Sequence, residues 1–373
     1  STTGWINIDC GNDALVIGDN GLPWSTDEEF TKAGKNKRIP ERVLTHTEMA
    51  TLRYFPNASD QNCYTLPTDP KVPRYLIRAG FVYGNYDGLD HPPTFDLEVD
   101  GKKWSTVTTT SSTITPVYQE VMHATRGSSS VNVCLKQTRD GEVPFVSSLE
   151  AVPLGPSMFP HLYPQMESDA TFFLVNRTNL AGVEVRYTSI LNDEKHNRIW
   201  ASGPTPPIYN LLTTLPGSNP LLPNDPPESV LRTSTASFFT SSPIIMTVDF
   251  PPLSTPQSAY FVFYFTEMAI RPSPSDTRVV DVYVNGVRKA TVAVEVKQCK
   301  VVTVYPEILV DPTANVTLAA ADSSTLPPII SAMEVFTTVD HVQDHDKGFT
   351  VGAYDPLILA FVILIHVFVV RQY

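Results

Sequence analysis

Asp96-Leu97-Glu98-Val99-Asp100-Gly101-Lys102-Lys103 is the stretch on which the fold turns. Its apolar residues alternate with acidic ones, the two-residue period of a strand with one buried face. The run ends on Asp-Gly, which supplies the positive φ angles of a tight hairpin turn. A second copy, Asp281-Val282-Tyr283-Val284-Asn285-Gly286-Val287-Arg288, follows at an offset of 185 residues. Tyr75-Leu76-Ile77 aligns with Tyr260-Phe261-Val262 at the same offset, and Pro144-Phe145-Val146-Ser147-Ser148-Leu149-Glu150 with Pro328-Ile329-Ile330-Ser331-Ala332-Met333-Glu334 at 184. A solenoid unit runs to roughly 20–50 residues, so the longer offset reads as duplication of a whole domain.

Working outward, short runs rich in Val, Tyr, Phe and Thr are bounded by Pro, Gly, Asn and Asp. They predict strands at 4–9, 75–83, 94–99, 131–135, 145–152, 172–175, 182–187, 244–250, 259–266, 279–284 and 291–296. The fold class is therefore all-β. Domain boundaries are expected at 4–155 and 171–338, separated by a proline-rich linker over 156–170. A divergent polar tail over 339–356 and an apolar segment over 357–373 follow. The proline-rich stretch 203–229 is too long for a plain connection and is expected to wrap the second domain or its interface.

The net charge of −12 leaves no basic surface able to neutralise a phosphate backbone, so nucleic acid is not a partner. Hydrophobic residues make up 42% of the chain, which excludes wholesale disorder. Three Asn-x-Ser/Thr sequons, at Asn57, Asn176 and Asn315, point to a glycoprotein of the secretory pathway, and a first residue that is not methionine to a removed signal peptide or a fragment. Four cysteines allow three connectivities if all are paired. Either one bridge crosses the domains or two thiols stay free, and Cys10 with Cys63 is the expected bridge. The run Leu357–Val370 is interrupted only by His366. It is short for a membrane span and lacks the spacer of a glycolipid-anchor signal, yet it allows membrane attachment.

Denser similarity lies in Gly4-Trp5-Ile6-Asn7-Ile8-Asp9-Cys10-Gly11, Leu52-Arg53-Tyr54-Phe55-Pro56, Asn62-Cys63-Tyr64-Thr65-Leu66 and Tyr75 to Gly88. It continues through Val131-Asn132-Val133-Cys134-Leu135, Arg198-Ile199-Trp200 and Leu326 to Phe336. These residues resemble the malectin-like ectodomain of plant receptor-like kinases. The resemblance implies two tandem malectin-like β-sandwich domains of jelly-roll type, as found beside leucine-rich repeats and a kinase. No kinase element accompanies them: a Gly-rich loop, Val-Ala-Ile-Lys, His-Arg-Asp and Asp-Phe-Gly are all lacking.

The animal lectin of this fold holds a glucose disaccharide between aromatic rings, because a sugar C–H face packs on a π-face. The resemblance puts Tyr83 at one ring position, with Tyr86, Asp87 and Trp104 around the same cleft of the first domain. In the second domain Ala269 and Ile270 stand where the rings would be. The competing reading is that Tyr83 and Tyr86 pack a turn that Asp87-Gly88 closes. Neither a catalytic constellation nor a cofactor is expected. Metal is not expected either, the His341 and His345 pair in a polar tail being a weak ligand set. The expected role is non-catalytic recognition at the cell surface or outside the cell, of a peptide, receptor or co-receptor, with a cell-wall glycan as the alternative partner.

Overall fold

The computed structural model of the chain describes residues 2–40, 46–57, 62–110, 115–155, 162–166, 169–190, 193–203, 209–217, 222–252 and 257–339. The apolar segment 357–373, the His341/His345 pair, nearly all of the polar tail and much of the 156–170 linker lie outside the described residues.

The two hairpins form as their turn chemistry requires. Thr94–Val99 pairs with Lys102–Thr108 across Asp100 and Gly101, whose φ angles are 45° and 76°. Val279–Val284 pairs with Val287–Ala293 across Asn285 and Gly286, at 51° and 77°. Each hairpin carries a bulge at the same place, between Leu97 and Glu98 and between Val282 and Tyr283. A bulge next to a tight turn increases the local twist and curls the sheet over its core. Phe95, Leu97 and Val99 point inward and are fully buried, as the alternation predicts.

Around each hairpin the same sheets recur. In the first half the order is Cys63–Pro67, Ser130–Gln137, Thr94–Val99, Lys102–Thr108; in the second it is Ile244–Asp249, Thr313–Ala320, Val279–Val284, Val287–Ala293. A three-stranded sheet flanks each, Phe145–Val146, Thr51–Tyr54, Lys35–Arg38 in one half and Ile329–Ile330, Thr233–Ser237, Tyr209–Thr213 in the other. The two halves share their remaining sheet. Among the described residues it has nine strands, with Ile6–Asp9, Ser148–Leu154, Arg74–Phe81 and Val117–Ala124 followed by Phe172–Asn179, Ala332–Val339, Gln257–Thr266 and Cys299–Leu309. Ala201–Ser202 adds to Phe172–Asn179 in parallel. The halves join where Val121 lies opposite Phe173 and Met122 opposite Phe172.

Each half packs an apolar core between its four-stranded sheet and the shared one. Ile77, Ala79, Phe81, Leu97 and Val133 belong to the first, and Phe261, Phe263, Val282 and Val316 to the second. Each fully buried Leu, Val or Phe contributes about 1.5–3 kcal/mol, so these cores carry most of the stability.

Several expectations need correction. Tyr260-Phe261-Val262 is not in register with Tyr75-Leu76-Ile77. Glu150 faces Arg78 and Glu334 faces Val262, which makes the offset 184 in this strand. A slip of one residue would have turned every side chain to the wrong face. The segment 182–187 forms no strand, only an isolated bridge between Val185 and Trp200. Strand 291–296 sits earlier, at Val287–Ala293. Val117–Ala124, Cys299–Leu309 and Thr313–Ala320 are strands that the pattern did not predict.

Candidate functional site

Tyr83, Tyr86 and Asp87 come together just after strand Arg74–Phe81, where Asn85 and Gly84 take positive φ. The Tyr83 hydroxyl donates to Asp87 Oδ1 at 2.5 Å, and Asn85 Nδ2 donates to Asp90 Oδ1 at 2.6 Å, closing the turn on itself. Tyr83 is 1% and Tyr86 7% exposed. Their rings meet edge to face at 5.7 Å, and Tyr86 packs on Tyr54 and Phe145 at 5.4 and 5.7 Å. Burial, and then the Asp87 carboxylate, push the Tyr83 phenol above its usual range. Trp104 stands on strand Lys102–Thr108, 7% exposed and part of the same apolar core. Almost none of the surface of these three rings is open to solvent.

The expected Cys10–Cys63 bridge is replaced by Cys63–Cys134. The two residues lie directly opposite one another on paired strands, with Cα atoms 4.0 Å apart, and Cys10 lies in the turn after Ile6–Asp9, a strand of another sheet. Cys10 is buried beside a polar knot in which Arg53 donates to both oxygens of Asp27, at 2.6 and 2.7 Å, and Tyr64 donates at 2.9 Å. Burial pushes the Cys10 thiol well up, and pushes Cys299 up to about 12. Burial thus disfavours the reactive thiolate at both residues.

Among the described residues the largest assembly of charge lies on the shared sheet where the halves meet. Arg78 grips Glu150 through two hydrogen bonds of 2.7 and 2.8 Å and pairs with Glu120 at 3.3 Å. Arg177 pairs with the other oxygen of Glu120 at 2.8 Å and donates to Glu334 at 2.7 Å. Glu334 also accepts from Tyr264 at 2.6 Å and from Tyr163. Residues 193–200 cover the row. Within them Arg198 holds Glu194 at 3.1 Å, Trp200 Nε1 donates to Glu194 at 2.9 Å, and Asn197 reaches Glu150 at 2.8 Å.

Burial opposes charge on Arg78 and Arg177, but their carboxylate neighbours outweigh it and hold both guanidiniums firmly protonated. Burial likewise opposes the Glu194 carboxylate, and Arg198 with His196 overcomes it and keeps this acid below its usual range. Three guanidiniums against four carboxylates make a nearly balanced lattice, the condition under which buried charge is tolerated. The functional-residue reading of the sequence overlooked this row. Its signal was a lone charge inside each apolar run, as in Leu76-Ile77-Arg78-Ala79 and Met333-Glu334-Val335. Above it the seam leaves a polar crevice of about 10 Å³ between Trp24, Glu48, Tyr118, Arg186 and Tyr187, room for about one water.

A wider cleft of about 420 Å³ opens on the first half, lined by Lys32, Ala33, Gly34, Phe55, Pro56, Asn57 and Asn62. Asn57 is exposed at its rim, though the sequon's Ala58 and Ser59 lie outside the described residues. Asn315 is exposed on its strand, whereas Asn176 is half-buried inside the shared sheet and accepts from Thr178. Among the described residues no His, Cys, Asp and Glu converge as metal ligands, and no helix is long and apolar enough to cross a membrane.

Comparison with known proteins bears on this architecture. Over 357 residues the chain is 33% identical to the receptor-like protein kinase At3g21340 of Arabidopsis thaliana, covering 91% of this chain and 37% of that one. It is 29% identical over 361 residues to the probable LRR receptor-like serine/threonine-protein kinase MEE39 of the same plant, covering 94% and 39%. The chain thus spans about two fifths of the length of the curated relatives it matches. The fold is that of the ANXUR1 extracellular domain from Arabidopsis thaliana, at a TM-score of 0.70 and 13% identity over 90% of this chain and 97% of that one. It is also that of a plant structure described as the peptide RALF23 in complex with FER and LLG2, at 0.67 and 14% over 91% and 96%. The model of the malectin-like domain matches residues 8–338, and the chain belongs to the malectin-like domain family.

Proposed function

We propose that the chain is the non-catalytic, extracellular recognition part of a plant receptor-like protein and that it binds a peptide or a protein co-receptor. The observation that carries this reading is the placement of the aromatic rings. Tyr83, Tyr86 and Trp104 are all buried in the core of the first half, so almost no ring surface is open for the stacking that a sugar needs. The fold is shared with an ectodomain solved with a peptide and a further protein, which favours the same class of ligand here. A rigid scaffold with a locked seam suits a binding surface made of strand edges and turns.

The test is binding of the secreted, glycosylated chain to arrays of plant secreted peptides and of cell-wall oligosaccharides, followed by calorimetry on every positive. Saturable peptide binding with no saccharide binding is the expected result. Saturable saccharide binding without peptide binding would transfer the function to the glycan reading.

A further inference from the structure

We infer that the outer edge of strand Lys35–Arg38 is a docking site for an extended acidic peptide, which adds as a fourth strand to the three-stranded sheet of the first half. The inference rests on the peptide-recognition reading above and assigns it to one strand. Lys35, Asn36, Lys37 and Arg38 are all exposed, and the strand is outermost, bonded only to Thr51–Tyr54. Among the described residues no strand covers its other edge, so its outward N–H and C=O groups form an open template.

Charge selects what can use that template. Arg53, Arg78, Arg177, Arg198 and Arg278 each hold a carboxylate, but among the described residues no carboxylate pairs with Lys35, Lys37 or Arg38. On a chain of net charge −12, a strand carrying three cations that no described carboxylate pairs is a local exception that attracts an acidic segment. The same cations disfavour a second copy of this strand, because like charges directly opposite across a sheet destabilise it. The counterpart strand in the second half, Tyr209-Asn210-Leu211-Leu212-Thr213, bears no charge. At the start of the cationic strand lies the 420 Å³ cleft walled by Lys32, Gly34, Phe55 and Pro56, which accommodates a side chain flanking the added strand. A polyanionic sugar would use the cations and leave the backbone groups idle, and a peptide strand uses both.

The experiment measures anisotropy of a labelled decapeptide of alternating Glu and Thr, beside the same peptide N-methylated at alternate residues, with oligogalacturonate as competitor. The expected result is binding to the native chain that falls at least about tenfold with Lys35→Glu/Lys37→Glu, falls similarly on N-methylation, and weakens as salt rises. Both substitutions are at exposed positions, and an unchanged melting temperature certifies the variant's fold. Equal binding by the double variant overturns the site. Equal binding of the N-methylated peptide, displaced by oligogalacturonate, overturns strand addition in favour of a polyanion surface. A peptide from the arrays that binds native chain and double variant alike overturns this assignment and leaves the receptor reading standing, whereas arrays without any peptide ligand remove both.

Discussion

Glu150 and Glu334 occupy equivalent positions of equivalent strands, yet each finds its arginine on a different side. Glu150 lies opposite Arg78 in one neighbouring strand and Asn7 in the other. Glu334 lies opposite Val262 and Arg177 at the corresponding places. The guanidinium has changed strands and the pair has persisted. A buried carboxylate without a partner costs several kcal/mol, whereas the attraction depends on distance and surroundings and not on which strand delivers the cation. In the second half this choice lets Arg177 reach back to Glu120 and tie the two halves together.

The comparison can be broken most severely at Glu334. Glu334→Ala leaves Arg177 with Glu120 alone and removes the acceptor of two tyrosines, and should lower unfolding free energy by about 3–5 kcal/mol in a denaturant titration. Glu150→Ala should cost less, since Arg78 keeps Glu120 and the Asn197 carbonyl. A reversed ranking would refute the view that the second half anchors the seam. Moving the first half's arginine to the other side, with Asn7→Arg and Arg78→Val, should recover part of the loss seen in Arg78→Val alone.

The halves differ next in covalent closure. Cys63–Cys134 closes a loop across 71 residues, and the second half has Ile245 and Thr317 paired in that register. Cys63→Ser/Cys134→Ser should destabilise by about 2–4 kcal/mol, with hydrogen exchange rising in the first half and not in the second. Uniform exchange through both halves would mean that the shared sheet makes them one cooperative unit.

A smaller effect concerns Asp9, whose equivalent in the second half is Asn179. Burial raises the Asp9 carboxyl to about 7, against lowering hydrogen bonds from Asn12 and Thr51. Between the ordinary carboxyl range and about pH 7 the folded chain holds a proton that the unfolded chain has released. Stability therefore declines as pH rises through that window, by at most about 1.4 kcal/mol per pH unit. Asp9→Asn makes the halves alike and should flatten that part of the stability profile; an unchanged slope would place the titrating group elsewhere. Least consequential for stability is glycan occupancy. Glycopeptide mass mapping should find Asn315 modified and Asn176 bare, and a glycan on Asn176 would contradict its place inside the shared sheet.

Local chemistry made parts of this molecule readable from its residues. Asp100-Gly101 and Asn285-Gly286 announce their hairpins because the turn itself demands those residues, and the alternation of Phe95, Leu97 and Val99 declares the buried face. Strand Cys299–Leu309 escaped notice because Pro306 interrupts a run that otherwise reads Val-Val-Thr-Val-Tyr. The Cys63–Cys134 pairing depends on register between strands distant in sequence, which spacing alone does not encode. The tyrosines at 83 and 86 were visible as a group, but whether ring faces turn outward or inward is decided by packing against Phe145 and Tyr54, residues remote in the chain.

Pro306 has a further meaning. The first half receives the second along strand Val117–Ala124, at Val121 and Met122, and the position equivalent to Val121 on Cys299–Leu309 is Val304, followed by Tyr305 where the register shifts. Immediately beyond them stands a residue with no N–H to give, at the outer margin of the shared sheet. Among the described residues no strand pairs beyond that margin, and the proline withholds there one donor that an added strand would need, so this edge is a poorer template than the cationic one.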